Sequence, residues 1–193
     1  MKCIIIGAGG HGKVVFEILG AQKKHEPVGF LDADPSLAES TVGGLPVLGS
    51  VNQLPKIRAK KIQAAIVAVG DNRTRRSYGE LLKQYDFELI SAIHPKAIVS
   101  PSATLGAGVV IAAGAVVGCE ATVGDLAIIN TAAVVDHECV IEQAAHICPT
   151  ASLAGRVHVG ACAFVGLGAK IIQCLSIGEE SIVAKARFFV AVD

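Results

Sequence analysis

Hydrophobic residues recur at every sixth position from about residue 98 to the end of the chain. Of the sixteen positions from Val99 to Phe189, fifteen hold Val, Ile or Leu, usually with a small residue two places earlier. A period of six does not fit an α-helix and is typical of a parallel β-helix of hexapeptide repeats. The aliphatic side chains are then expected to point inward, with three hexapeptides (about 18 residues) closing one triangular coil.

The corners of this predicted β-helix are rich in glycine. Gly often follows the inward residue directly, as at Gly106, Gly118 and Gly160, and is expected there because it tolerates the backbone angles of a corner. No insertion breaks the register, so we expect about five coils without a long loop leaving the β-helix.

The first 90 residues instead alternate short hydrophobic runs with helical patterns. We predict a strand, a Gly-rich turn and a helix in "KCIIIGAGGHGKVVFEILGA", a strand in "PVGFLDAD", a loop and a short helix in "GLPVLGSVNQLPK", a strand in "KIQAAIVAVGDN", a helix in "RTRRSYGELLKQYD" and a short strand in "FELISAIHP". The sequence therefore predicts a small Rossmann-like α/β half-domain over residues 1–92, followed by the β-helix domain over residues 93–193.

Composition excludes several functional classes. Residues 1–97 carry 13 Lys and Arg against 9 Asp and Glu, and residues 98–193 carry 4 against 8, so neither half is basic enough to predict nucleic-acid binding. No segment resembles a signal peptide or reaches membrane-spanning length, and we expect no membrane insertion. The six cysteines form no C-x-x-C pair, which favours reduced thiols in a cytoplasmic protein and no metal site.

The turn "GAGGHG" (Gly7 to Gly12) matches the pattern G-x-G-x-x-G between a predicted strand and helix. Asp32 follows about twenty residues later, and Gly70 ends a strand at the same expected edge of the sheet. Such a turn lets backbone N–H groups approach a phosphate. A nucleotide-linked sugar is favoured over a nicotinamide cofactor, since half a dinucleotide fold is present; a turn needing Gly for geometry alone also fits. His11 either contacts the ligand or is a surface residue at the helix start.

A polar trio interrupts the repeat at Asp136, His137 and Glu138, and a second His follows nine residues after the first. His137 lies two places after an inward position, so its side chain is expected to point outward from a corner. Other corners carry mostly Ala, Gly, Ser or Thr, which do not titrate near neutral pH. An imidazole beside a carboxylate suits proton abstraction, with either Glu138 or Asp136 raising its basicity.

The chain resembles, over nearly its whole length, the bacterial amino-sugar and sialic acid acetyltransferases, above all the N-acetyltransferases of UDP-4-amino-4,6-dideoxy sugars, and five segments carry the resemblance. The segments are "IGAGGHGKVV", "AIHPKAIVSPSATLGAG", "IINTAAVVDHECVI", "HICPTASLAGRVHVG" and "AFVGLGAKI". The resemblance implies a left-handed β-helix, which is an exception to the right-handed crossover rule. It also implies acetyl-CoA as the acetyl donor, and a homotrimer with active sites between neighbouring β-helices.

The resemblance implies roles for individual residues. His137 is expected to be the general base, and Glu138 to raise its basicity. His146 is expected to help bind acetyl-CoA, whose groove is lined by backbone at positions such as Gly155 and Leu167. The nucleotide-sugar is expected to be held by Gly9, Gly10, His11, Asp32 and Gly70.

The last coil departs from the family pattern. Gln173 and Cys174 stand where the family usually has a Pro-Gly-like step, and "VAKARFFVAVD" replaces a Gly-rich coil. A Pro-Ala-Lys segment of the family is also missing. These residues normally pack around the adenine and pantetheine end of the coenzyme, so the wall of the groove at Lys185 is expected to differ.

Three other interpretations compete with an N-acetyltransferase. O-acetylation of a sugar hydroxyl would use the same base. A non-catalytic nucleotide-sugar-binding β-helix protein would keep the Gly-rich turn and lack acetyl transfer. A carbonic-anhydrase-like metal site would need a closely spaced His pair, whereas His137, His146 and His158 are nine and twelve residues apart.

Overall fold

The computed structural model describes residues 1–184. The N-terminal part contains β1 (Lys2–Ile6), α1 (Gly10–Gln22), β2 (Glu26–Leu31), β3 (Thr41–Val42), β4 (Leu45–Pro46), α2 (Leu54–Ala59), β5 (Ala64–Val67), α3 (Asn72–Gln84) and β6 (Glu88–Leu89). Two short 3₁₀ turns, Pro35–Leu37 and Val51–Gln53, complete it. The strands and helices alternate as the sequence predicts.

A four-stranded parallel sheet, in the order β2-β1-β5-β6, forms the centre of this part. The central strands β1 and β5 are buried on both sides, which explains their unbroken apolar runs. The antiparallel hairpin of β3 and β4 is a feature that we did not predict. Its signal is the pair Gly43-Gly44, whose positive φ angles of 57° and 81° suit a two-residue hairpin turn.

The repeat folds into a left-handed parallel β-helix, as expected. Each hexapeptide contributes a two-residue strand, and every third strand pairs in parallel, which gives the β-helix three faces. The first face holds β7 (Ala92–Ile93), β10 (Val110–Ile111), β13 (Ile128–Ile129), β16 (His146–Ile147), β19 (Phe164–Val165) and β22 (Ile182–Val183). The second face holds β8 (Ile98–Val99), β11 (Val116–Val117), β14 (Val134–Val135), β17 (Ser152–Leu153) and β20 (Lys170–Ile171). The third face holds β9 (Thr104–Leu105), β12 (Thr122–Val123), β15 (Val140–Ile141), β18 (His158–Val159) and β21 (Ser176–Ile177).

Residues 18 positions apart stack directly on one another along each face. Val117 pairs with Val135, and Val135 pairs with Leu153. The aliphatic residue of each strand and the small residue two places before it both enter one continuous core, where most of them are fully buried. The predicted inward set is therefore confirmed from Val99 to Val183, and Phe189 lies outside the described residues.

The backbone conformation at the corners also repeats every six residues. Thirteen consecutive corners place one residue in the left-handed region, at Gly108, Gly114, Glu120, Leu126, Ala132, Glu138, Ala144, Thr150, Arg156, Cys162, Gly168, Cys174 and Glu180. Only three of these are glycines, although each non-glycine residue there costs about 1–2 kcal/mol. Backbone hydrogen bonds between coils offset the cost, since Glu138 N donates to Cys119 O (2.9 Å) and Arg156 N donates to His137 O (2.9 Å).

The glycines that directly follow inward residues have a different reason from the one we expected. Gly106, Gly118 and Gly160 have no positive φ angle. A Cβ at Gly106 would lie 2.5 Å from the backbone nitrogen of Asp125 in the next coil, and one at Gly160 would lie 2.5 Å from that of Glu179. These positions need glycine because the coils approach closely, not because of backbone angles.

The α/β part packs on the first face and on the corner between the third and first faces. Helix α1 contacts β7, and Val110 and Ile128 of the first face join its hydrophobic core. Helix α3 lies along the corner formed by Leu126, Ala144 and Cys162. No other element of residues 1–184 packs on the corner between the second and third faces.

We predict that the inward stack dominates stability. Ile129→Ala should lower the free energy of unfolding by about 2–5 kcal/mol, because Ile129 is 0% exposed and its neighbours in adjacent coils cannot close the cavity. Ile98→Ala, at a position 67% exposed, should change it by less than about 0.5 kcal/mol. Urea unfolding of both variants measures the difference, and equal effects would contradict the assigned register.

Candidate functional site

The Gly-rich turn joins β1 to α1 and uses each glycine of its pattern differently. Gly7 has a φ of 106°, and a Cβ there would lie 2.5 Å from the carbonyl oxygen of Ala68. A Cβ on Gly12 would lie 2.1 Å from the carbonyl oxygen of Gly7, so the helix packs directly on the turn. A Cβ on Gly9 would meet nothing within 4 Å. The open space over Gly9 is what a ligand phosphate needs to approach the N-terminus of α1.

A cleft of about 280 Å³ opens above this turn, at the carboxyl ends of β1, β2 and β5. Gly9, Gly10, His11, Asp32 and Gly70, the five residues expected to hold the nucleotide-sugar, all line it, together with Thr74 and Tyr78. The structure therefore brings this whole group together.

Asp32 lies at the end of β2 with both carboxylate oxygens directed at backbone. Its Oδ2 accepts from Ala8 N (2.6 Å) and its Oδ1 accepts from Asp34 N (2.9 Å). Asp32 thus holds the Gly-rich turn in place, and a ligand hydroxyl would have to use the remaining lone pairs.

His146 lies beside the same cleft, on the outer side of the first face. Its ring is 6.5 Å from the ring of His11 and 5.2 Å, edge-on, from that of Phe164. Its Nε2 lies 3.0 Å from Asn130 Nδ2. The buried atoms His11 Nε2 and His146 Nδ1 have no hydrogen-bond partner among the described residues. Two imidazoles with unused polar atoms therefore meet where the α/β part joins the β-helix.

Both imidazoles are held neutral by their surroundings. Burial, and to a lesser extent the positive charge of Arg75, lowers the pKa of His11 to about 4. Burial and the charges of Arg75 and His11 lower the pKa of His146 to about 3. Neutral imidazoles can accept as well as donate hydrogen bonds, which suits sugar hydroxyls and phosphate oxygens.

His137 and Glu138 form a hydrogen-bonded pair at the open corner. His137 Nδ1 lies 2.9 Å from Glu138 Oε2. The left-handed backbone of Glu138, with a φ of 57°, allows these adjacent side chains to meet. Asp136 has another role, since its Oδ1 accepts from the backbone nitrogen of His137 (2.7 Å). Because a carboxylate only accepts, Nδ1 carries the proton in the neutral form of the ring, and in that form Nε2 has a free lone pair.

Gly155 lies one coil further on, directly beside the His137 ring. A Cβ at this position would be 2.3 Å from His137 Cε1 and 2.4 Å from Nε2. Because residues 18 positions apart stack on one another, the residue next to the imidazole is Gly155, which has no side chain. Gly155 therefore leaves the space that the His137 ring occupies. The sequence predicted a different role, in which the Gly155 backbone lines the coenzyme groove.

The remaining residues of the expected site lie apart on one chain. His137 lies at the corner between the second and third faces, while the cleft and His146 belong to the side of the first face. Leu167, half exposed, lies at the corner between the first and second faces. Lys185 lies outside the described residues. A single chain therefore does not bring the His137–Glu138 pair to the nucleotide-sugar cleft.

Sequence reasoning missed two polar residues beside the site, Asn130 and Arg75. Asn130 is the outward residue just after β13, where it reaches His146 of the next coil. Arg75 lies on the buried stripe of α3 with Asn72, Gly79 and Leu82. The helical spacing of these buried residues is a sequence signal that indicates a buried Arg75. The contact of Asn130 with His146 follows only from the geometry of the coils.

Comparison with known proteins identifies relatives of this chain. A family model, the PglD N-terminal domain, matches residues 2–82. PerB from Caulobacter crescentus, solved in complex with CoA and GDP-perosamine, is 44% identical over 94% of this chain and 85% of its own, with a TM-score of 0.90. The chain belongs to the bacterial sugar acetyltransferases of the left-handed β-helix type.

One further match supports the family, and another shows the same fold. The acetyltransferase domain of PglB from Neisseria gonorrhoeae, in complex with acetyl coenzyme A, is 36% identical over 95% of this chain and 91% of its own, with a TM-score of 0.75. WeeI from Acinetobacter baumannii shares the fold, at 18% identity, a TM-score of 0.70 and coverage of 94% and 96%. No curated protein sequence matches the chain.

Two properties of the described residues bear on other classes of function. Among residues 1–184, no His, Cys, Asp and Glu side chains gather in a group of three or more that would suit a metal ion. No helix in the same range has the length and apolar character needed to cross a membrane.

We predict that Gly155→Ala displaces the His137 ring. The added methyl group would overlap Cε1, so the ring must move by about 1 Å to reach an ordinary contact distance, and its bond to Glu138 should lengthen or break. A crystal structure of the variant measures the shift. Gly20→Ala, where a Cβ meets nothing within 4 Å, is the matched control and should leave the pair intact. An unmoved ring in Gly155→Ala would contradict the assigned geometry.

We also predict a loss of stability on acidification. The unfolded chain protonates His11 and His146 near the ordinary pKa of about 6.5, whereas the folded chain does so only near pH 4 and 3. Their stabilising effect is thus complete above pH 6.5 and declines as the pH falls, by up to roughly 1.4 kcal/mol per pH unit for each group. Urea unfolding between pH 7 and 4.5 measures the slope, which His146→Gln should reduce. A slope that His146→Gln leaves unchanged would contradict a neutral, buried imidazole.

Proposed function

We propose that this chain transfers the acetyl group of acetyl-CoA to the 4-amino group of a nucleotide-linked amino-deoxy sugar, with His137 as the general base. The observation that carries the proposal is the His137–Glu138 pair (2.9 Å) at an open corner of a chain from the sugar acetyltransferase family. The cleft over Gly9 and Gly10 supports a nucleotide-sugar acceptor, because it offers an uncapped helix N-terminus to a diphosphate.

The two residues of the pair have distinct tasks. Glu138 accepts from Nδ1, which fixes the tautomer of His137 and stabilises the imidazolium that forms during the reaction. The Nε2 lone pair of His137 is then directed away from the pair and is free to take a proton. Gly155 keeps the space beside Nε2 clear of a side chain.

Acetyl transfer proceeds by direct attack. The sugar nitrogen forms a bond to the thioester carbonyl carbon as Nε2 of His137 takes one of its protons. The carbon–sulfur bond then breaks, CoA leaves as a thiolate, and the proton passes from the imidazolium to the thiolate or to water. Backbone N–H groups of the coils stabilise the oxyanion. No covalent enzyme intermediate is needed, because the thiolate is a good leaving group.

Two nucleotides, UDP and GDP, are candidates for the carrier of the acceptor sugar. The resemblance of the sequence to the N-acetyltransferases of UDP-4-amino-4,6-dideoxy sugars favours a UDP-linked sugar. GDP is the second candidate, because PerB, 44% identical to this chain, was crystallised with GDP-perosamine.

We propose a homotrimer in which each site is completed by two neighbouring chains. His137 and the nucleotide-sugar cleft lie on different sides of one β-helix, so a second chain is needed to bring them together. Leu167 and Gly155 likewise lie at different corners, so a coenzyme groove lined by both needs two chains. His146, beside the cleft, is then placed to contact the acetyl end of the coenzyme brought by the neighbour. Lys185 stays a candidate for the distal wall of that groove.

We predict that His137→Ala lowers kcat by roughly 10²–10⁴, the usual contribution of a positioned base. The measurement is CoA thiol release from acetyl-CoA with UDP- and GDP-linked 4-amino sugars, which also identifies the nucleotide. His158→Ala is the matched control: His158 lies 2.9 Å from Glu142 and its side chain is 42% exposed, like that of His137. The control should keep the kcat of the wild type. Wild-type kcat in His137→Ala with the true acceptor would exclude His137 as the base.

A further inference from the structure

Arg75 is a fully buried cation at the centre of the junction between the α/β part and the β-helix. Its side chain is 0% exposed, and no carboxylate of residues 1–184 forms an ion pair with it. Burial lowers its pKa to about 10, so it remains charged at neutral pH. A buried charge without a counter-ion persists only where hydrogen bonds replace its lost hydration.

All five N–H groups of the Arg75 guanidinium have an oxygen acceptor. Its Nε donates to Leu126 O (2.8 Å). Its Nη1 donates to Val69 O (2.9 Å) and Gly70 O (3.1 Å). Its Nη2 donates to Asn72 Oδ1 (2.7 Å) and Ala144 O (2.7 Å). The guanidinium thus joins the end of β5, the start of α3 and two coils of the β-helix.

Asn72 extends this connection to the next coil. While its Oδ1 accepts from Arg75, its Nδ2 donates to Cys162 O (2.9 Å) and Ala163 O (3.0 Å). Leu126, Ala144 and Cys162 are 18 residues apart, at the same position of three successive coils. The end of β5 and the start of α3 are therefore fixed against a ladder of backbone carbonyls.

Gly70 is the point where this connection reaches the candidate site. It lines the cleft over the Gly-rich turn, and it also lines a second cleft with Asn72 and Phe164. Phe164 packs on His146. A shift of Gly70 would therefore alter the distance between the nucleotide-sugar cleft and the imidazole on the β-helix.

We infer that Arg75 is a positioning residue for the nucleotide-sugar, which holds Gly70 and Asn72 at a fixed place relative to His146. The inference rests on the proposed function for the identity of the ligand, but not for the contacts. The geometry requires arginine rather than lysine, because a planar guanidinium reaches five carbonyl and amide oxygens on three sides, whereas an ammonium has only three donors.

The test compares Arg75→Lys with Arg76→Lys, its neighbour on α3, whose side chain is 36% exposed and pairs with Glu179 and Glu80. Calorimetry gives the Kd of UDP and GDP, and the thiol-release assay gives KM for the nucleotide-sugar and for acetyl-CoA. Arg75→Lys should raise the nucleotide Kd and the nucleotide-sugar KM by about tenfold or more, since small displacements of a positioning group are costly. In Arg75→Lys, KM for acetyl-CoA should change less than about twofold. In Arg76→Lys, the nucleotide Kd and both KM values should also change less than about twofold.

A purely structural role gives a different result. Arg75→Lys would then melt at a lower temperature while the folded fraction binds nucleotide with wild-type Kd, which overturns the inference. Equal changes in both KM values overturn it as well. If Arg75→Lys does not fold, Asn72→Ala, which cuts the same connection without removing the charge, decides by the same measurements. If neither folds, Arg75 and Asn72 are structural and the inference is wrong.

The outcome is separable from the proposed function. Absence of thiol release by the wild-type protein with every acceptor would reject the proposed acetyl transfer. Calorimetry with UDP and GDP alone would still compare Arg75→Lys with the wild type. Absence of any nucleotide binding by the wild-type protein would overturn the inference about Arg75.

Discussion

Direct stacking of residues 18 positions apart is the constraint on which the rest of this structure depends. It fills the core, because aliphatic residues of successive coils lie over one another. It requires glycine where two corners approach closely, as at Gly106 and Gly160. The same spacing places Gly155 beside the ring of His137 and aligns the carbonyls that Arg75 and Asn72 contact. A packing rule for a hydrophobic core thus also positions the polar groups.

The three corners of the β-helix have different partners. One is occupied by α3 of the same chain, through buried hydrogen bonds and through ion pairs such as that of Lys83 with Asp125 (3.0 Å). Another presents His137 and Glu138, with no other element of residues 1–184 packed in front of them. This division explains how one short repeat supports both a docked α/β part and an open corner that holds the proposed base. It is also why the proposed site needs a second chain to bring acceptor and base together.

Buried charge and buried imidazoles are linked at the junction. Arg75 keeps its charge in the interior because every N–H finds an oxygen, and that charge helps to hold His11 and His146 neutral. A neutral imidazole does not repel an incoming ammonium group, and its unused nitrogen remains available to a polar ligand. The polar part of the junction is thus adapted to a charged, hydroxyl-rich molecule rather than to an apolar one.

The sequence by itself determined the β-helix, its register from Val99 onward, the alternation of strands and helices and the Gly-rich turn, because each is written in a local period or in a short motif. It also singled out His137, since an imidazole between two acids has no structural purpose at a corner. It did not determine which acid pairs with His137, what Gly155 does, or where Arg75 lies. The contacts of Gly155 and Arg75 join residues that are distant in the sequence and meet only after the chain has coiled. The pairing of His137 with Glu138 joins sequence neighbours, but it accompanies a left-handed backbone at Glu138 that the residue type does not predict. Tertiary structure decided them because packing between coils, not sequence distance, sets which side chains meet.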